Sequence, residues 1–146
     1  MHYSTSTATC VLSCLALLTA TASSAEGTPA ELGEALYKRY CASCHGLEAR
    51  GDGLVAQGLK TAPADLTRIA ERRGGAFPSA DIARFIDGRF ELESHGSREM
   101  PIWGTQLGAD IADPGLGEEV VRGRIFVLLE YLKSIQRTGD PNHVSE

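Results

Sequence analysis

Cys41-Ala42-Ser43-Cys44-His45 is the stretch that decides how this 146-residue chain is read. Two thiols three positions apart stand one helical turn from each other, so each can form a thioether with a vinyl group of the same porphyrin. The next residue can then carry an imidazole onto the metal. This is the pattern of covalent haem attachment, with Cys41 and Cys44 as anchors and His45 as proximal ligand. Further along, Met100 is the one methionine besides Met1. Its thioether is the candidate distal ligand. An iron held between imidazole nitrogen and thioether sulfur changes oxidation state with little change in its ligands, which suits one-electron transfer.

Other readings of the same residues have to be weighed. A zinc site needs more ligands than this chain readily supplies: beyond the motif and the extreme N-terminus only His95 and His143 remain. A redox dithiol needs no histidine after the second cysteine and expects βαβ surroundings, which the sequence lacks. For the sixth position, Pro101 holds Met100 in extended backbone and so presents it from a loop. His95, five residues earlier, is the rival, but Ser94, Gly96 and Ser97 place it in a turn open to solvent. The plainer alternative for Met100 is core packing. Trp103 is read either as a wall at the haem edge with its indole N–H donating to a propionate, or as ordinary core. Arg72, Arg73 and Arg98 could face propionates by charge. Gly46 and Gly51-Asp52-Gly53 allow tight turns beside the cofactor.

The first twenty-five residues contain no Lys, Arg, Asp or Glu, and Val11 to Leu18 is an apolar run too short to span a membrane. Small residues Ser23-Ser24-Ala25 follow. The expectation is an export signal, residues 1–25, cleaved near Ala25, with Ala22 as the near alternative. Only His2 and the amino terminus provide its basic start, so an uncleaved membrane anchor is the competing reading. Cys10 and Cys14 fall within this signal, which leaves no disulfide framework. A haem domain of single-domain size follows at 26–137, then a polar tail at 138–146.

The formal charge of −5 includes Glu91, Glu93, Asp110, Asp113, Glu118 and Glu119. It argues against nucleic acid as a partner and would permit docking to a basic patch.

Periodicity predicts short helices and no sheet. Thr28-Pro29-Ala30-Glu31 has the form of a capping box with proline at the first helical position. The helix it opens runs toward Cys41, with Gly33, Leu36, Tyr37 and Tyr40 on one side and Glu34 and Lys38 paired outside. Further helices are expected over 66–73, stopped by Gly74-Gly75, and from Ser79, taken as cap, to Gly88. The last is expected over 118–136, where Val121, Ile125, Leu128, Leu132 and Ile135 form an apolar stripe broadened by Leu129 and Tyr131. Gly123 is expected to allow a close backbone approach.

Taken together, residues 29–137 resemble a small bacterial class I c-type cytochrome, monohaem and His/Met-ligated. The resemblance implies an all-α cytochrome c fold wrapped around one covalently bound haem c. It implies that Gly33 and Tyr37 pack against Leu128 and Tyr131 where the first and last helices cross. It also implies that the carbonyl of Pro63, in Thr61-Ala62-Pro63-Ala64, accepts a hydrogen bond from His45 and raises its basicity. Arg98-Glu99-Met100-Pro101-Ile102-Trp103-Gly104 is similar to the methionine loop of bacterial monohaem cytochromes, including modules attached to respiratory complexes.

The function expected is a periplasmic one-electron carrier between a protein donor and a protein acceptor, with no small-molecule substrate and no catalytic residues. The alternative is a haem c subunit or electron-input module of a larger respiratory or dehydrogenase complex. A haem sensor or small peroxidatic enzyme needs an open sixth position, against which Met100-Pro101 argues.

Overall fold

Thr28 starts the first helix for the reason its sequence suggests. In a computed structural model describing residues 27–89 and 100–137, its hydroxyl accepts from the Glu31 N–H at 3.3 Å, while its own N–H donates to the Glu31 carboxylate at 2.7 Å. The reciprocal bonds satisfy two of the amide donors that a helix start would otherwise leave open. Helix α1 spans Pro29–Tyr40 and α2 spans Ala42–His45. A 3-10 turn at Leu66–Arg68 leads into α3, Ile69–Arg72, and α4 spans Ser79–Asp87. The short α5, Trp103–Gln106, precedes the long α6, Pro114–Ser134. Among the described residues there is no strand. The fold is the expected all-α one.

Two helix starts differ from the sequence expectation. Ser79 is the first residue inside α4, and Pro78 occupies the cap position without a side-chain bond. Helix α6 begins at Pro114, four residues before Glu118, because Asp113 accepts from the Leu116 N–H at 3.0 Å and Pro114 fills the first helical position. That is the proline-after-cap signal again, one turn earlier than the apolar stripe by itself indicates.

The core is built on the crossing of α1 and α6. Tyr37, Val121 and Leu128 are almost wholly buried, and Ile125, Leu129, Tyr131 and Leu132 complete the buried face of α6. Gly33 sets the approach. A Cβ there would lie 2.7 Å from the carbonyl carbon of Val127, closer still to its oxygen, and 2.8 Å from the Tyr131 Cβ. The Tyr37 and Tyr131 rings stack obliquely one turn away, centroids 5.1 Å apart. The approach on the α6 side is made by Val127 and Tyr131, not by Gly123, around which a Cβ would meet nothing. Gly123 faces outward and merely weakens the helix.

Outside the core, Lys38 and Glu34 pair as expected at 2.6 Å. Arg124 reaches back from α6 to the Asp110 carboxylate at 2.7 and 2.8 Å and to the Leu107 carbonyl, and this hydrogen-bonded partner holds the Asp110 carboxyl down at about 2. Gln136 ties the far end of α6 to the 66–72 region: it accepts from the Ala70 N–H at 2.9 Å and donates to the Leu66 carbonyl at 2.8 Å.

Because no side chain fits at the helix crossing, Gly33→Ala should force α1 and α6 apart. We expect a loss of roughly 2–3 kcal/mol in denaturant unfolding. Unchanged stability would mean that the crossing has slack this geometry denies.

Candidate haem site

Helix α1 delivers Cys41 to the site. Its N–H closes the helix on the Tyr37 carbonyl at 2.8 Å, and the chain turns at once into α2. Cys41 and Cys44 are both free thiols and half-buried. Burial, followed by the neighbouring Cys44, pushes the Cys41 thiol up to about 12. A thiol so held is the reverse of the depressed, thiolate-forming cysteine of a dithiol redox catalyst. Among the described residues, no three or more His, Cys, Asp or Glu side chains are grouped to share a metal ion.

A helix of four residues leaves its terminal carbonyls open, and the following loop closes them. The N–H groups of Val55, Gly53 and Gly51 donate in turn to the carbonyls of Ser43, Cys44 and His45, at 3.0, 3.1 and 2.8 Å. Two glycines make this possible. A Cβ on Gly53 would lie 2.5 Å from the carbonyl carbon of Cys44, and Gly51 (φ 85°) would drive one into the Pro63 carbonyl. The Gly51-Asp52-Gly53 turn is therefore the structural partner of the Cys41–His45 turn.

The imidazole of His45 is oriented by the same loop. Its Nδ1 lies 3.0 Å from the Ala64 carbonyl oxygen. A carbonyl can only accept, so Nδ1 carries the proton and donates, and Nε2 keeps its lone pair. Burial draws the His45 pKa down, against the opposing pull of the Ala64 bond. The acceptor is one residue beyond the expected Pro63. The Pro63 carbonyl faces the Gly51 turn instead.

Tyr37 joins this region to the core. Its hydroxyl is buried and donates to the Gly46 carbonyl at 2.6 Å, immediately after His45. Burial, then the proximity of Cys41, raises its pKa well above the usual phenol value. Ala49 is fully buried with φ 58°, a left-handed backbone on a residue with a Cβ, and its carbonyl accepts from the Leu66 N–H at 2.8 Å. Nothing in the identity of an alanine announces such a role.

Met100 is half-buried and packs against the core, as does Trp103 at the start of α5. Trp103 sets its ring edge-on to Tyr40, centroids 5.7 Å apart, beside Cys41. Arg72 is exposed and donates to the Asp65 carbonyl at 2.9 Å, and Arg73 lies 3.9 Å from Asp81. His95 and Arg98 lie outside the described residues, as do His143 and the segments 1–25 and 138–146.

These side chains suit haem c. Two thiols could form the thioether bridges, and the tautomer-fixed imidazole of His45 could bind the iron through Nε2. Leu36, Tyr40, Phe77, Ile82 and Trp103 are large side chains packed against the core yet only partly buried by protein, a pattern compatible with covering a flat apolar ring. An all-helical frame with an attachment turn at the end of its first helix defines a small class I c-type cytochrome. The chain belongs to the family described as "Cytochrome C oxidase, cbb3-type, subunit III", a haem c-binding domain, whose model matches residues 28–113. No curated protein and no solved structure gives a significant match.

Tyr37→Phe removes the hydroxyl but leaves the Gly46 carbonyl its second donor, the Ala49 N–H at 3.2 Å. The expected loss in urea denaturation is therefore about 1 kcal/mol. No measurable change would show that the bond is not part of what holds the His45 loop.

Proposed function

We propose that the protein is an exported one-electron carrier in which Cys41 and Cys44 would hold haem c covalently and His45 and Met100 would be its iron ligands. Membership of a haem c family supports electron transfer as the activity. The observation that carries the residue assignment is the imidazole of His45, fixed through Nδ1 on the Ala64 carbonyl within the same turn as two free thiols. Bound haem c supplies a ferric/ferrous couple. The chain's own residues hold that group in place: His45 keeps one ring orientation, Pro101 keeps Met100 extended, and the apolar side chains of α1, α4 and α5 keep water from the ring. No acid–base pair is required.

Export rests on the composition of residues 1–25, with cleavage near Ala25 leaving 26–137 as the haem domain ahead of the polar tail. The destination in this reading is the periplasm, and it is supported by the fact that domains of this type are usually exported. Among the described residues no helix is long and apolar enough to cross a membrane. The partners are a protein electron donor and a protein acceptor.

A second reading is favoured by the family description, which names an oxidase subunit. In it the same haem domain is a subunit or electron-input module of a larger respiratory complex in the membrane.

Expression in a host competent in haem attachment tests the assignment. The wild-type protein should retain haem mass after denaturation and acid extraction, and the double variant Cys41→Ala/Cys44→Ala should lose it. Ferric Met100→Ala should lack the weak red-edge absorption of iron–sulfur bonding. Colourless, unmodified wild-type protein would overturn the proposal. Isolation from native membranes separates the two readings: a free monomer supports the carrier, and stable copurification with a catalytic chain supports the subunit.

A further inference from the structure

Arg89 carries no motif, yet it sits at the centre of a partly buried ion-pair cluster. It follows Gly88, which ends α4 in the left-handed conformation. Its Nε and Nη2 donate to the two Asp87 carboxylate oxygens at 2.6 and 2.9 Å. Nη1 and Nη2 donate to Glu118, the latter at 3.2 Å. Both edges of the guanidinium are thus engaged, a geometry that lysine cannot reproduce. The Asp87 side chain is 14% exposed and that of Arg89 24%. The cluster bolts the end of α4 to the first turns of α6.

The first turn of α5 rests directly on this cluster. Gly104 is buried, and a Cβ there would lie 2.8 Å from the Arg89 Cδ, and closer still to Arg89 Nε and Asp87 Oδ1. Gly104 follows Trp103, which leans on Tyr40 beside Cys41. Met100 stands three residues before Trp103, with Pro101 restricting the backbone between them. The position of α5 therefore determines where the thioether is presented.

We propose that Asp87, Arg89 and Glu118, with Gly104 seated on them, are positioning residues that hold Met100 on the haem iron. The inference rests on Met100 being the distal ligand. Arg89 acts through the backbone at Gly104. Loosening the seat lets the thioether leave more often, and an added ligand then competes better, in proportion to the fraction of molecules with an open position.

The test compares haem-loaded wild type, Arg89→Gln, Arg89→Lys, Glu118→Gln, Gly104→Ala and Met100→Ala. Imidazole affinity of the ferric protein, the red-edge absorption band and thermal unfolding are measured together. Arg89→Gln and Gly104→Ala should bind imidazole about tenfold more tightly than wild type and show a weakened band, with Arg89→Lys in between. Affinities within about twofold of wild type and an intact band would overturn the inference even if stability fell, since that pattern belongs to a merely structural clamp. If Arg89→Gln or Gly104→Ala fails to accumulate with haem, Arg89→Lys and Glu118→Gln decide by the same criteria. If Met100→Ala leaves band and affinity unchanged, the ligand assignment itself falls, and this inference with it. A clear effect of Met100→Ala without any effect of the seat variants rejects the seat alone.

Discussion

The contact between Gly33 and the Val127 peptide is the constraint on which the rest of the molecule depends. With no Cβ at position 33, the backbones of α1 and α6 can approach closely, and the buried face of α6 follows from that approach. The angle and depth of the crossing fix where α1 ends. Its end is Cys41, so the crossing also fixes where the attachment turn begins. Tyr37, one turn beyond Gly33, converts this packing into a hydrogen bond with Gly46 on the far side of His45. Both flanks of the motif are thereby anchored to the same helix pair.

Within the motif, most of the ordering comes from backbone amides. Three loop N–H groups satisfy the carbonyls of Ser43, Cys44 and His45, and a fourth backbone group, the Ala64 carbonyl, orients the imidazole. Backbone groups cannot change rotamer, so the imidazole of His45 is held in one orientation by an acceptor that does not move independently of the loop. The loop first closes α2 through its amides and then returns to His45 with the Ala64 carbonyl.

Where a side chain itself carries the chemistry, the sequence was legible. The Thr28 capping box and the apolar stripe of α6 name their roles through residue type and spacing, and the structure bears both out. The features misread or not read at all are those in which backbone position does the work. The His45 acceptor is a carbonyl, which every residue possesses, so the sequence pointed to the distinctive Pro63 while the bond goes to Ala64. Ala49 adopts a left-handed backbone with no glycine or asparagine to mark it. Gly123 and Gly33 look alike as letters on a helix, yet only Gly33 faces another backbone. The start of α6 was readable from Asp113-Pro114, but the stripe beginning at Val121 drew the boundary inward.

The acidic balance changes meaning once the partners are seen. Asp113 caps α6, Asp110 is bound by Arg124, Glu118 by Arg89, and Glu119 by Arg122. Four of the six carboxylates that seemed available for steering thus serve the fold, while Glu91 and Glu93 lie outside the described residues. A carboxylate paired with a guanidinium has only a weak field beyond a Debye length of about 8–10 Å. Each ion-paired carboxylate cancels an arginine charge and leaves the net charge of −5 unchanged, so these pairs hold helix ends without altering the overall charge of the chain.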